Sequence, residues 1–241
     1  MNLDSLSEKL NQEFKQDNSI WLSNGYTLRK TIGVLGMGLP LFLYIFLYID
    51  TGFTEPLESI SHYYYTRVSG FFVAILSILA IFLMIYKGKS PIDLIVSLIA
   101  GIAALLVVFF PTDNITDICC NSSFPYSVTI LEKSDLRETV HYIAAAFFLG
   151  CLAYMSIFLF TKSNKSINER GLQKLKRDRI YRICGIIMIL AIAIIFFGGF
   201  LELIPKDVYV NNKLTFWMET VAIESFGFSW LVKGDTLFKD K

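Results

Sequence analysis

The sequence predicts an all-α integral membrane protein: a bundle of six transmembrane helices, both termini cytoplasmic, with a small outer cap of loops. Three observations predict it. Of 241 residues, 54% are hydrophobic and only 18% charged, and the mean hydropathy is +0.53, which is more apolar than a soluble domain of this length. Six apolar runs, at about 31–50, 69–87, 92–111, 141–161, 183–204 and 214–232, are each long enough to cross a hydrocarbon core of about 30 Å. The connections between them alternate in charge, which orients the bundle.

The chain divides into an N-terminal segment, 1–28, the six-helix domain, 29–234, and a short tail, 235–241. In the first segment Leu3, Leu6, Leu10 and Phe14 form one apolar stripe at helical spacing. Its acids outnumber its lysines, so docking on the bundle suits it better than a basic lipid-seeking role, and Trp21 belongs at the interface. Helix one contains Gly33, Gly36, Gly38 and Pro40, a combination that permits close helix approach and a kink. The Lys87 to Pro91 connection makes helices two and three an antiparallel hairpin, and Asp93 in the first turn of helix three favours the helix dipole.

The connection between helices four and five carries Lys162, Lys165, Arg170, Lys174, Lys176, Arg177, Arg179 and Arg182 against Glu169 and Asp178, which marks it as cytoplasmic. Arg29, Lys30, Lys87, Lys89 and Lys233 then fall on the same side. The outer side receives 51–68, 112–140 and 205–213. In that middle connection Tyr126 to Leu131 has β character, as does Val208 to Val210 in the last. Asn114 and Asn121 sit in N-x-S/T sequons there, and Asn164 in another on the inner side. The net charge of +1 argues against a dedicated nucleic-acid binder. Four cysteines do not make a disulfide framework: Cys119 and Cys120 are adjacent in a loop, while Cys151 and Cys184 read as core.

The residues that could carry chemistry are few. Helix six holds two carboxylates, Glu219 about a quarter of the way in and Glu224 near the midplane, where an acid costs at least about 2.5–3.5 kcal/mol. Glu224 has no cation at its depth, so its expected partners are hydroxyls such as Ser225, Ser229, Ser77, Ser97 or Tyr154, water or a ligand. Glu219 and Glu224 lie about 140° apart around the helix. Both histidines, His62 and His141, come at the outer ends of helices two and four, level with Asp113, Glu138, Glu202 and Glu219. His62, His141, Asp113 and Glu219 are therefore the candidate ligands for zinc or a similar divalent ion, for which two histidines and an acid suffice beside a bound water. No HExxH motif is present. His62, His141, Asp113 and Glu224 are the candidate catalytic residues. Hydrolysis by Ser59 or Ser61 with His141 and Asp113 is a further option, but no nucleophile elbow supports it. Glu58 to Arg67 mixes hydroxyls, an acid, a histidine and a cation before helix two, and its Ser59, Ser61, Tyr64 and Arg67 join Glu219 and Glu224 as a candidate ligand site. The tyrosines also describe an aromatic belt. The basic inner connection enforces topology, or binds anionic lipid.

Three short motifs carry a resemblance: Ser59-Ile-Ser61 before helix two, the run His141 to Phe148 opening helix four, and Ala222-Ile-Glu-Ser-Phe-Gly-Phe228 in helix six. In these the chain resembles the six-helix DRAM-like membrane proteins, whose relatives include a factor that remodels GPI anchors, and an uncharacterised bacterial six-helix family. The resemblance implies a lipid-related role and gives weight to His141 and Glu224.

The expected function is to bind or modify a lipid or amphiphile in a polar His/Asp/Glu-lined cavity open to the outer leaflet, through membrane-embedded hydrolysis if a reaction is catalysed. One alternative is a proton- or cation-coupled transporter or channel using Glu224. The other is a non-catalytic assembly or signalling subunit, in which Gly33, Gly36 and Ala146-x-x-x-Gly150 pack against a membrane partner or a second copy. The expected setting is a bacterial inner membrane rather than a eukaryotic endomembrane.

Overall fold

A computed structural model describes residues 25–88, 90–115, 127–163, 166, 169–234 and 238. The amphipathic stripe of Leu3 to Phe14, Trp21, Lys89, Cys119, Cys120, Asn121, Asn164 and Lys165 lie outside the described residues. The described chain is helical throughout: α1 (Gly25–Thr51), a 3-10 turn (Ser61–Tyr65), α2 (Ser69–Ile85), α3 (Pro91–Phe109), α4 (Asp135–Tyr154), α5 (Leu172–Ile194), α6 (Lys206–Asn211) and α7 (Leu214–Lys233). Helices α4 and α5 each continue as π-helix, over Met155–Leu159 and Ile195–Phe200. Neighbours in sequence pack pairwise, and α7 closes the ring between α5 and α1.

Four of these segments are long and apolar enough to cross a membrane: Gly25–Thr51, Pro91–Phe109, Asp135–Leu159 and Leu172–Phe200. Helix α2 is apolar but spans 17 residues, and α7 carries Glu219, Glu224 and Lys233. Large apolar side chains such as Ile49, Phe109 and Phe200 are exposed on the outside of the bundle, as lipid contact requires. The chain has the architecture of a helical membrane protein.

The apolar runs locate the helices, but three helices begin earlier than the runs do, α1 at Gly25 rather than 31. Helix α4 starts at Asp135 rather than 141, because Ser134 Oγ accepts from the Arg137 N–H and caps it. His141 therefore sits in its second turn. Helix α5 starts at Leu172 rather than 183, so much of the basic connection is itself helix, with Arg177 and Asp178 buried. The β character expected at Val208 to Val210 is overturned, since those residues lie in α6. At Tyr126 to Leu131 the described part forms one isolated bridge, Thr66 to Ser127, and no strand. Asn114 clamps Leu131 with both ends of its amide, at 2.7 and 3.0 Å. Asp93 holds the start of α3 as expected, accepting from the Ser90 N–H at 2.9 Å.

The glycines of α1 pack within the chain. A Cβ at Gly33 would lie 2.8 Å from Gly227 O, and one at Gly227 would lie 2.7 Å from Gly33 O, so α1 and α7 cross backbone to backbone. Gly36 faces Phe226 at the same crossing. These two glycines are thus committed to α7 rather than to an outside partner. Gly150 meets nothing and borders a shallow apolar groove with Val96 and Phe147. Cys184 is buried, while Cys151 is half-buried beside that groove.

The crossing pattern separates two polar ends. Ser59 to Arg67, 110–113 and the starts of α4 and α7 gather at one, the histidine end. Arg29, Tyr86, Asp93, Lys162, Arg170 and Lys233 gather at the other, the basic end. Between them lies a core in which Trp230, Phe226, Phe160 and Leu79 are fully buried.

Candidate functional site: a serine–histidine pair at the histidine end

The segment between α1 and α2 folds back on itself in the 3-10 turn Ser61–Tyr65, which opens with His62 N–H donating to Ser59 O at 3.3 Å and Tyr63 N–H to Ile60 O at 3.2 Å. This turn returns the His62 ring to the residue three before it. Ser59 Oγ lies 2.6 Å from His62 Nδ1, and both side chains are buried. Two bonds from α7 hold the turn: Phe216 N–H donates to Glu58 O at 3.1 Å, and Ile60 N–H donates to Glu219 Oε2 at 2.7 Å. On the other flank Val128 N–H donates to Tyr65 O at 2.9 Å.

The second imidazole nitrogen, Nε2, is buried with no hydrogen-bond partner among the described residues. It faces two carboxylates just beyond hydrogen-bond reach, Glu58 Oε2 at 3.7 Å and Asp113 Oδ1 at 3.9 Å. Asp113 Oδ1 is held in turn by Thr112 Oγ1 at 2.7 Å and Tyr142 Oη at 2.9 Å. Burial holds the His62 imidazole below its usual pKa, outweighing Glu58 and Asp113, which favour its protonation. The ring is therefore neutral at pH 7, able to accept the Ser59 hydroxyl proton at Nδ1 while Nε2–H points at the carboxylates. Burial would raise the Asp113 carboxyl, yet the bonds from Thr112 and Tyr142 and the adjacent His62 bring it below the usual carboxylate range. It stays charged.

His141 does different work. Its Nδ1 donates to Phe110 O at 2.8 Å, Arg137 Nε donates to Pro111 O at 3.1 Å, and Tyr65 Oη donates to Thr112 O. Three successive carbonyls just beyond α3 are thus each met by a buried or half-buried side chain, which satisfies acceptors that burial would otherwise leave unpaired. Burial pushes the Tyr65 hydroxyl up to about 12, so it remains a donor. The expected pairing of serine with His141 is corrected to Ser59 with His62, and the role of His141 here is to pin the segment that carries Asp113.

The other sequence candidates fall into place around this pair or away from it. Ser61 is buried in the turn but does not meet the imidazole, and Tyr64 packs edge-on against Tyr65 and Phe72. Arg67 faces Asp50 at 3.4 Å on the surface. Glu219 is spent on the Ile60 N–H. Among the described residues no three His, Cys, Asp or Glu side chains converge to hold one ion, so His62, His141, Asp113 and Glu219 do not form a ligand set in this arrangement. Glu224 is half-buried and makes no hydrogen bond among the described residues. Two of its expected partners bond to backbone, Ser97 to Tyr86 O and Ser229 to Phe226 O. Glu58, the acid of the Glu58 to Arg67 stretch, joins the site, and Thr112 and Tyr142 complete it unannounced. The i, i+3 spacing of Ser59 and His62 and the i, i+4 spacing of Glu58 and His62 were the signals for two of the contacts.

Comparison of the chain with protein-family models, with curated proteins and with solved structures finds no match.

Proposed function

We propose that this chain is a six-span membrane protein, with its basic end and both termini in the cytoplasm, that acts on an ester of a lipid or amphiphile at the outer leaflet. The observation that carries the reading is the buried Ser59–His62 pair backed by Glu58 and Asp113. A hydroxyl hydrogen-bonded to a neutral imidazole, with a carboxylate behind the far nitrogen, is the arrangement of nucleophilic acyl transfer. Ser59 Oγ attacks the ester carbonyl as its proton passes to His62 Nδ1. Asp113 and Glu58 favour the imidazolium that forms. His62 then returns the proton to the leaving alcohol, and water, deprotonated by the same nitrogen, releases the acyl group from Ser59. The carboxylates stand slightly far from Nε2, as catalytic contacts do before substrate closes the site. The resemblance to DRAM-like proteins supports a lipid as the substrate, since Ser59 lies in its first motif.

The test is hydrolysis of a long-chain p-nitrophenyl ester by protein in nanodiscs. Ser59→Ala and His62→Gln, each folded, are expected to lower the rate by about 10³-fold or more. Activity that survives both substitutions contradicts the reading. A second reading rests on Glu224, half-buried in α7 without a hydrogen bond among the described residues: a carboxyl so placed suits a proton carrier. It predicts proton flux in proteoliposomes that Glu224→Gln abolishes, and no flux removes it.

A further inference from the structure

The turn that carries Ser59 and His62 closes on its own backbone, His62 N–H donating to Ser59 O and Tyr63 N–H to Ile60 O. The Ile60 N–H does not join in. It belongs to the residue that follows Ser59, and it points out of the turn to a side chain of α7, meeting Glu219 Oε2 at 2.7 Å. In serine acyl transfer from a nucleophile elbow, the amide of the residue after the nucleophile is one of the donors to the oxyanion. Ile60 N–H therefore stands where the Ser59 reaction needs a donor, and a carboxylate is already on it.

An amide has one proton and one direction in which to give it. A carboxylate oxygen at 2.7 Å fills the position in which that N–H would hold an oxyanion, at about 2.7–3.1 Å. Two negative oxygens cannot share it, because they repel each other in a site that water screens poorly. Glu219 is held lightly for a group so placed. It is half-buried, it enters no ion pair among the described residues, and only its Oε2 has a hydrogen bond there. Asn114, which clamps Leu131 at the same end of the bundle, uses both atoms of its amide. A displaced carboxylate also has a second place to go. Thr215, one turn before Glu219 on α7, shares a single bond of 3.0 Å with the Tyr209 hydroxyl, so of the two hydroxyl protons one is left to give.

We propose that the Ile60 N–H is the oxyanion donor of the Ser59 site and that Glu219 occupies it at rest, as a built-in plug that the reacting ester displaces. The proposal rests on the hydrolytic reading of Ser59. As Ser59 Oγ bonds to the ester carbon and its proton passes to His62, the carbonyl π pair moves onto oxygen, and Ile60 N–H holds that charge in place of Glu219. The C=O bond then reforms, the C–O bond to the alcohol breaks, and the alcohol leaves with the proton from His62. Attack by water on the acylated Ser59 uses the same donor, after which the carboxylate returns. Glu219 is a positioning residue: it acts on the rate through the donor it covers.

The test is steady-state hydrolysis of a long-chain p-nitrophenyl ester by full-length protein in nanodiscs, beside thermal denaturation of the same samples. Glu219→Leu removes the acceptor at similar side-chain size. It is expected to raise kcat by tenfold or more with KM little changed, while the melting temperature falls because Ile60 N–H has lost its partner. A merely structural role for Glu219 lowers both. Glu219→Gln keeps an acceptor for the N–H but not the charge that repels an oxyanion, so it reads the site even where Glu219→Leu fails to fold, with a smaller rise in kcat. Ile60 has φ −61°, the angle that a proline ring imposes, so Ile60→Pro deletes the donor and should lower kcat by about 10²-fold or more. Lys133→Gln, exposed on the surface, should change nothing. Hydrolysis by native protein that His62→Gln abolishes, with kcat no higher in folded Glu219→Leu and Glu219→Gln, overturns this proposal and leaves the hydrolytic reading standing. No hydrolysis by native protein or by either Glu219 variant overturns both.

Discussion

The two ends of the bundle hold their polar groups in opposite ways. At the histidine end nearly every buried group is paired: three carbonyls after α3 are met by His141, Arg137 and Tyr65, and Glu219 takes the Ile60 N–H. Among the described residues Tyr63 Oη, Arg137 Nη2 and His62 Nε2 are left without a hydrogen bond there, and that imidazole nitrogen faces two carboxylates. At the basic end six cations line one cavity, and Lys174 and Lys233 share one carbonyl. The first end is organised around a proton, the second around a cluster of cations. Close packing fixes the geometry of the first, whereas space and field define the second.

The largest expected effect removes both ends together. Gly227→Leu places a side chain where Gly33 O and Met37 already stand, at 2.7 and 2.5 Å from the first added carbon, so α1 and α7 cannot close the ring. No folded monomer is expected on size-exclusion chromatography; a normal monomer peak would show that the crossing does not hold the ends in register.

A smaller change confined to the histidine end sharpens the contrast. His141→Ala strips a donor from Phe110 O, and Glu219→Ala strips the acceptor from Ile60 N–H, each costing about 1–3 kcal/mol. Thermal denaturation should show both losses. An unchanged melting temperature in both variants would show that these two bonds do not hold the histidine end together.

Acid should act on the same end. Folded His62 has a pKa below its unfolded value of about 6.5, so below that pH the unfolded chain binds the extra proton first. Stability is then full above about pH 6.5 and falls as pH drops below it. His62→Gln should flatten that part of the pH profile, and an unchanged profile would show that His62 is not the group responsible. The smallest effect is expected at Lys133 and Asp135, an exposed pair at 3.9 Å, where Lys133→Gln should change stability by less than about 0.5 kcal/mol.

The helices were legible because apolar runs are, but their ends were not. Helix α5 runs on past the apolar segment into Lys174, Arg177 and Asp178, where a hydropathy reading stops although the backbone hydrogen bonding does not. Gly33 and Gly36 announced a close crossing, while the identity of the facing helix, α7, depends on how the ring closes. At the site, Ser59, His62 and Asp113 were visible as candidates. Which histidine met which serine was not, because that turns on a single 3-10 turn of local chain, and the distance between His141 and Ser59 in sequence carried no such constraint. The basic residues were read as a sign of orientation or as a site for anionic lipid. That they face a shared cavity follows from helix packing, which charge counting does not contain.

The most direct test of the central claim is covalent labelling of the folded protein in nanodiscs with a long-chain fluorophosphonate, which reacts with serines activated by an adjacent base, followed by peptide mapping. The account predicts a stoichiometric phosphonyl adduct on Ser59, absent in His62→Gln and strongly slowed in Asp113→Asn. A folded protein with no adduct on Ser59, or with an adduct that forms equally well in His62→Gln, would contradict it.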